Sequence, residues 1–259
     1  MKGMGIRVKS RIGKYLNMTV VPFILLVIWQ SLSSAGLLYE VILPSPLKCV
    51  SALGEIIKNG SLKIDLFVSL KRVIFGCLWG VSLGFIFGLL AGFNKYIERV
   101  IDPIINILRQ IAIYAWIPLI ILWFGIGDLS KIIIIAKAVL VPVYVNTLSG
   151  IRDINVQYLE LAEVLELNKV TLLTKVIFPA AAPVIFSGFR LAVSAAWTSV
   201  VAAEMLGGLT GLGYALLNAK DYLKSDRLIA LMAVIAVIGI LFDTLLLQMQ
   251  KVIFKWKEV

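Results

Sequence analysis

The chain has 259 residues, of which 60% are hydrophobic and 15% are charged, and its mean hydropathy of +0.97 is too high for a soluble domain of that length. The net charge of +10 does not indicate nucleic-acid binding, because the 25 Lys and Arg residues are scattered through short loops and tails. Two cysteines, Cys49 and Cys77, and no histidine exclude a disulfide framework and a zinc site. We therefore predict an all-α, polytopic membrane protein that contacts the lipid bilayer and has no nucleic-acid partner and no metal.

Apolar runs of about 20 residues predict six transmembrane helices. They cover residues 19–38, 70–92, 104–124, 132–148, 176–203 and 228–253. A single transmembrane domain thus runs over 19–253, between a basic tail, 1–18, and a short tail, 254–259. The first tail has five basic residues and no acidic one, so the positive-inside rule places it in the cytoplasm, and six spans return the second tail to the same side. A signal peptide is the alternative for the first run, but no A-x-A-like cleavage site follows it.

Two long connections are predicted on the external side. The connection at 39–68 contains two prolines, Pro44 and Pro46, which favour an extended lead-in to a short surface helix over 46–58. The connection at 205–227 is rich in glycine, which permits tight turns or re-entrant backbone.

The second predicted span carries a glycine at every fourth position. These are Gly76, Gly80, Gly84, Gly88 and Gly92. Such a row marks a groove where the backbone of another helix approaches closely. The groove is either a surface on which parts of a transporter slide or a site of static close packing, and the pattern alone does not separate the two.

Charged and aromatic residues within the spans are candidates for a translocation pathway, because charges there avoid lipid and face the bundle interior or water. In the fifth span Arg190, Trp197 and Glu204 recur at intervals of seven and project in similar directions. A helix rises about 1.5 Å per residue, so Arg190 and Glu204 are about 21 Å apart and cannot pair. The alternative is structural, with Arg190 snorkelling and Glu204 capping the glycine-rich loop.

The third predicted span adds Arg109, which lies two turns before Trp116 on the same predicted face. A cation beside an aromatic wall would bind or steer a passing anion. The alternative is that Arg109 packs against Asp102 or Asp243. Lys137 in the fourth span is a second possible partner of Asp243.

The connection between the fourth and fifth spans, 150–177, is polar and helix-forming. It holds Glu160, Glu163, Glu166, Lys169 and Lys175. So many charges cannot face lipid, so this segment lies in water or against another protein. The same count of spans places it in the cytoplasm.

This segment also carries a family resemblance. Glu160-Leu161-Ala162, three residues, Glu166, nine residues and Val176-Ile177-Phe178-Pro179 resemble the EAA loop, E-A-A-x3-G-x9-I-x-L-P, of permease subunits of ATP-binding-cassette (ABC) importers. Further stretches occur where the nitrate, sulfonate and taurine permease group has similar residues. They are Leu43-Pro44-Ser45-Pro46, Ser69-Leu70-Lys71-Arg72-Val73, Ile117-Pro118-Leu119, Trp123-Phe124-Gly125, Ser130-Lys131, Gly188-Phe189-Arg190, and Ala203-Glu204 with Gly211-Leu212-Gly213.

The resemblance implies the MetI-like architecture of a type I importer permease in a bacterial-type inner membrane. It implies a homodimer of this chain, a pair of ABC ATPase subunits, an extracytoplasmic substrate-binding protein, and a small anion such as sulfonate, taurine or nitrate as substrate. ATP and Mg would bind the ATPase, so we expect no cofactor and no catalytic residue on this chain, which also lacks a G-x-x-x-x-G-K-[ST] motif. A gradient-driven secondary transporter or channel is the alternative function.

By match, the resemblance assigns ATPase coupling to one set of residues and loop geometry to another. The coupling set is Glu160, Leu161, Ala162, Leu165, Glu166 and Leu167, and the geometry set is Asn168, Pro179 and Pro183. Leu161 and Glu166 replace an alanine and a glycine of the family pattern. If that glycine supplies a left-handed turn, a glutamate there is strained. Asn168 tolerates the left-handed conformation and is able to cap the next helix, so we expect the turn to shift there.

Overall fold

The computed structural model describes residues 20–21 and 23–255, and this part of the chain contains helices and no strand. The α-helices are α1 (Phe23–Ser34), α2 (Pro46–Lys58), α3 (Ser61–Phe93), α4 (Lys95–Gln110), α5 (Ile113–Phe124), α6 (Asp128–Arg152), α7 (Val156–Val164), α8 (Lys169–Thr171), α9 (Phe178–Gly207), α10 (Leu212–Asp221) and α11 (Ser225–Ile253). A π-helical segment, Leu172–Ile177, joins α8 to α9. The all-α fold class is confirmed.

The number of spans differs from the sequence-based expectation. Helices α3, α6 and α11, and the continuous helix Lys169–Gly207, are long and apolar enough to cross a membrane. The predicted third span is two helices, α4 and α5, bent by 101° at a short break, and they make a fifth span if counted together. The predicted first span is matched only by the shorter apolar helix α1. The proposed tail 1–18 lies outside the described residues, as do residues 256–259 of the second tail.

The chain divides into two compact units. The described part of the smaller one is residues 20–21, 23–61 and 216–233. Here the helix predicted over 46–58 is present as α2. Ser45 accepts a hydrogen bond from the backbone N–H of Lys48, and Pro46 occupies the first turn, where its missing N–H costs nothing. Arg227 pairs with Glu55 across 3.2 Å.

The larger unit, 62–215 and 234–255 of the described chain, is built around α6. The glycine row of α3 lies against this helix: a methyl group at Gly80 would be 2.6 Å from the carbonyl oxygen of Ala136, and one at Gly84 would be 2.6 Å from that of Leu140. A side chain at these positions would therefore overlap the backbone of α6. The groove is filled by α6, which leaves the choice between sliding and static packing open.

Helices α6 and α9 form an antiparallel pair. Gly150, near the end of α6, lies against Ala181 near the start of α9, and Gly188 lies against Pro142 and Asn146. The π-helical segment runs into α9 without a break, and its closing N–H, that of Phe178, bonds the carbonyl of Leu173 five residues back. Pro179 follows directly, in the first turn of α9, where a proline is tolerated.

Candidate functional site

Helix α7 is exposed along almost its whole length. Asn155 caps its start by accepting a hydrogen bond of 3.0 Å from the N–H of Gln157. Only Ala162 of its nine residues is buried. Its apolar side chains are as accessible as its acidic ones, with Leu161 56% and Val164 80% exposed. A helix of this composition buries too little surface within the chain to be held by its own packing.

Glu166 ends this helix in the left-handed conformation, with φ of +48°. Its N–H bonds the carbonyl of Glu163 at 3.0 Å, and the N–H of Leu167 bonds that of Ala162 at 3.1 Å. This pair of bonds is the Schellman motif, which normally places glycine at the left-handed position. The expectation that the turn shifts to Asn168 is wrong. Asn168 is extended, with φ of −67°, and caps α8 by accepting from the N–H of Thr171 at 2.8 Å.

A groove of about 290 Å³ separates α7 from the start of α9. Four of the six predicted coupling residues line it, together with residues from the π-helical segment and the first turn of α9. The lining is Tyr158, Leu161, Ala162, Leu165, Leu167, Lys175, Val176, Pro179 and Ala180. Glu160 and Glu166 are not part of this lining, and both are exposed. The predicted coupling residues therefore border an apolar groove with carboxylates beside it.

A buried polar cluster occupies the opposite end of the α6–α9 pair, centred on Arg72 of α3. Its guanidinium donates to Glu204 at 2.7 Å, to both oxygens of Thr210, and from two nitrogens to one oxygen of Asp128, at 2.6 and 2.9 Å. An arginine has five N–H groups, and all five are used here. Arg72 is 4% exposed, so this saturation is what makes its burial tolerable.

Glu204, fully buried at the end of α9, is the counter-ion of this cluster. Besides Arg72 it accepts from the hydroxyl of Ser69 at 2.9 Å and from the N–H of Gly213 at 2.9 Å. Asp65 accepts from the N–H of Gly211, whose φ of +105° favours glycine. Glu204 thus fastens the glycine-rich loop to α3, which is the geometry of the structural alternative.

The other members of the fifth-span stripe also have partners within the chain. Arg190 makes a bidentate contact with Asp243 of α11, at 2.6 and 2.9 Å. The indole N–H of Trp197 donates to the carbonyl of Ile235 at 2.9 Å, and its ring packs edge-on to Phe242. The pairings of Asp243 with Lys137 or Arg109 are therefore wrong, because the guanidinium of Arg190 occupies that carboxylate.

Arg109 and Trp116 do not share a helical face, because the chain between them is not helical. Ile111 and Ala112 have ψ of 117° and 141°, and α5 departs at 101° from α4. Arg109 is exposed, and the described residues offer it no hydrogen bond or ion pair. The cation beside Trp116 is instead Lys137 of α6. Its Nζ lies 5.4 Å from the ring centroid and donates to the carbonyl of Ile111 at 3.1 Å.

The sequence profile of the binding-protein-dependent transport system inner membrane components matches residues 80–258. The chain belongs to this family. It is 37% identical to the putative aliphatic sulfonates transport permease protein SsuC of Bacillus subtilis, over 92% of this chain and 87% of that protein. It is 30% identical to the taurine transport system permease protein TauC of Escherichia coli, over 90% and 86%.

A solved structure shares the fold of this permease. It is a chain of the MetNI methionine ABC transporter in an inward-facing conformation, with a TM-score of 0.60 over 72% of this chain and 93% of that chain. At 17% identity the likeness concerns the fold alone. The chain is thus a membrane component of an ABC transporter, and its relatives are permease subunits rather than catalytic ones.

Sequence reasoning did not assign three polar residues to the candidate sites where the fold places them: Arg72, Asp128 and Lys137. A signal existed for Arg72, because a buried glutamate at the end of one span requires a cation from another. No local pattern points to the partner, since Arg72 and Glu204 are 132 positions apart. Lys137 was visible as an intramembrane lysine, but its neighbour depends on a helix break that the sequence does not mark.

Proposed function

We propose that this permease carries a small anion across the cell membrane and is driven by a separate pair of ATPase subunits that dock on α7 and the adjoining groove. The exposure of α7 carries this proposal: it is a helix with one buried residue, joined at both ends to long apolar helices. A partner that covers its apolar side chains supplies the burial that the chain itself does not.

The connections of α7 suit it to transmit force. Three residues separate it from the end of α6, and four separate it from α8, which continues through the π-helical segment into α9. Because α6 and α9 pack directly against each other, displacement of α7 moves both helices together. The ATP and Mg belong to the ATPase in this arrangement.

The docking end lies in the cytoplasm, as do both termini, and the glycine-rich loop faces a substrate-binding protein outside. Two copies of the chain form the pathway. The compounds after which the two relatives are named support an anionic substrate, since aliphatic sulfonates and taurine both carry a sulfonate group.

The test is reversal of charge on α7. We expect Glu160→Lys to abolish uptake and co-purification of the ATPase subunits, while membrane insertion is unchanged, because the new cation changes the charge of the docking surface without altering a buried contact. The control is Glu40→Lys, which makes the same change at an exposed position outside both the α7 region and the glycine-rich loop. Normal uptake by Glu160→Lys would contradict the docking assignment.

Labelling tests the orientation independently. Leu165 is 60% exposed, so a cysteine at this position reacts readily with a maleimide. A membrane-impermeant maleimide should label Leu165→Cys in inside-out vesicles from cells that lack the ATPase subunits, and should leave it unlabelled in intact cells. Labelling from outside intact cells would place the coupling segment on the wrong side for any cytoplasmic ATPase.

A further inference from the structure

The break between α4 and α5 lies beside an intramembrane lysine. Lys137 is nine residues from the start of α6 and fifteen from its end, or about 14 Å and about 22 Å along the helix. These distances place it within the ~30 Å hydrocarbon layer that α6 spans. Irregular backbone at this depth occurs where it is buried in protein or lines a water-filled cavity.

Apolar clusters lie on both sides of Lys137 along α6. One turn before it, Ile133 packs against the cluster of Ile117 and Ile120 from α5. One turn after it, Val141 packs against the cluster that contains Ile105 of α4. Lys137 therefore occupies the level at which α4 gives way to α5, and its ammonium is directed at the break rather than along the helix to either end.

Among the described residues, two groups at this level have N–H donors that lack an acceptor. The ammonium of Lys137 has three protons, and one is used by the carbonyl of Ile111. Among the described residues no carboxylate lies within ion-pair distance of it. The indole N–H of Trp116 is buried and has no hydrogen-bond partner in the same part of the chain. Arg72 and Arg190, by contrast, each contact a carboxylate.

A purely structural role for Lys137 does not account for both observations. Capping of the Ile111 carbonyl at the end of α4 uses one donor of three and leaves the Trp116 N–H without an acceptor. A buried donor without an acceptor is costly, as at Trp116, and the half-buried ammonium of Lys137, at the depth of the hydrocarbon layer, requires polar partners or water. An acceptor that carries negative charge and several oxygens would satisfy both groups at once.

We propose that Lys137 and Trp116 form a binding site for a small oxyanion at the α4–α5 break. The ammonium supplies the charge and the indole supplies one directed hydrogen bond. Ala112, the N-cap residue of α5, provides no side-chain cap, so the first turn of α5 adds unpaired N–H groups on the same stretch of chain. A lysine binds as a point charge rather than as a planar fork, which suits oxyanions of different shape. This inference rests on the proposed function, whose substrate class it specifies.

Methanesulfonate is the probe, and its uncharged analogue, dimethyl sulfone, is the matched control, which is expected not to bind. Saturation-transfer NMR on the methyl signals, with the full chain in lipid nanodiscs, measures binding of both. We expect methanesulfonate to bind saturably and dimethyl sulfone not to bind. Lys137→Met should weaken methanesulfonate about tenfold or more, because a hydrogen bond to a charged group and its charge are both lost. Lys95→Met, at an exposed lysine that starts α4, should leave binding unchanged.

Two further, conservative variants distinguish loss of the binding site from misfolding. Lys137→Arg keeps the charge and should retain binding within about tenfold, while Trp116→Phe keeps the ring, loses only the N–H and should weaken binding by several-fold. Unchanged binding in both Lys137→Met and Trp116→Phe would overturn the site, as would equal binding of dimethyl sulfone or no saturable binding of methanesulfonate. Glu160→Lys should lose uptake and keep methanesulfonate binding, so that failure of the ATPase docking and failure of the anion site give different results.

Discussion

Replacement of Glu204 by methionine removes the only fully buried carboxylate of the polar cluster. The variant leaves the guanidinium of Arg72 with Asp128 as its sole counter-ion, and it leaves the Ser69 hydroxyl and the Gly213 N–H without their acceptor. Removal of one partner of a buried ion pair costs about 3–5 kcal/mol. A chain of about 250 residues loses about 2–4 °C of Tm per kcal/mol, so we expect Tm to fall by about 6–20 °C.

The control lies within the same cluster. Asp128 also contacts Arg72, at 2.6 Å, but its side chain is 59% exposed against 0% for Glu204. Solvent screens such a pair, so Asp128→Asn should cost no more than about 1 kcal/mol. The contrast between two carboxylates on one guanidinium isolates the effect of burial.

Thermal unfolding in mild detergent, followed by tryptophan fluorescence, measures these changes, and a double-mutant cycle separates the pair from its surroundings. Arg72→Met should also destabilise, whereas Arg72→Met combined with Glu204→Met should cost at least about 1.5 kcal/mol less than the sum of the single changes, because neither charge is then left unpaired. Additive costs, or equal costs of Glu204→Met and Asp128→Asn, would refute the assignment of Arg72 and Glu204 as a coupled buried pair.

Two further predictions concern the backbone. Gly84→Ala should lower Tm, since its methyl group would overlap the carbonyl oxygen of Leu140, while Gly54→Ala, which meets no atom within 4 Å, should leave Tm unchanged or raise it; equal shifts would show that α3 and α6 are not in backbone contact. Glu166→Gly should stabilise the chain by about 1 kcal/mol by removing left-handed strain, and Asn168→Ala should cost about 1 kcal/mol by removing a helix cap. Denaturant unfolding measures the free energy of unfolding of both variants, and the two changes should have opposite signs. A loss of stability in Glu166→Gly would contradict the assignment of left-handed strain to Glu166.

Apolar length predicted the main helices well because it is a property of each segment alone. The apolar runs at 132–148 and 228–253 lie inside α6 and α11, but the helices extend beyond them into polar residues. The run at 70–92 likewise misses the first two turns of α3. These turns contain the polar residues Asp65 and Ser69, which accept hydrogen bonds from the glycine-rich loop. Hydropathy marks the membrane-embedded part of a helix and not its ends.

The break in the third predicted span was not visible in the sequence. Neither Ile111 nor Ala112 is a helix breaker, and the nearest proline, Pro118, lies inside α5. Apolar residues on both sides of the break produce an uninterrupted hydropathy signal, so the packing of α4 and α5 on α6 decides where the helix ends. The predicted Arg109–Trp116 face depended on helical phase across this point and failed with it.

The composition of the segment around α7 predicted that it is exposed, but it did not predict the backbone conformation there. The five charges between Tyr158 and Lys175 indicate an exposed segment without any knowledge of its neighbours. The conformation of Glu166 requires tertiary information, because the Schellman hydrogen bonds of α7 hold it against its intrinsic preference. Local propensity favoured Asn168 for the left-handed turn, but Asn168 caps α8 instead.

Helices α6 and α9 connect the groove beside α7, the cluster of Arg72 and Glu204, and the α4–α5 break beside Lys137. At one end, the two helices are joined through the exposed helix α7. At the other end, the cluster of Arg72 and Glu204 holds them to α3. The glycine row brings the backbone of α3 into close contact with α6. The α4–α5 break has no continuous helical hydrogen bonds across Ile111 and Ala112, so it yields more easily than the continuous helices in contact with the pair. Movement imposed at α7 would therefore be taken up at the break, where the ammonium of Lys137 holds the carbonyl of Ile111, and an anion that competes for that ammonium would be coupled to the same movement.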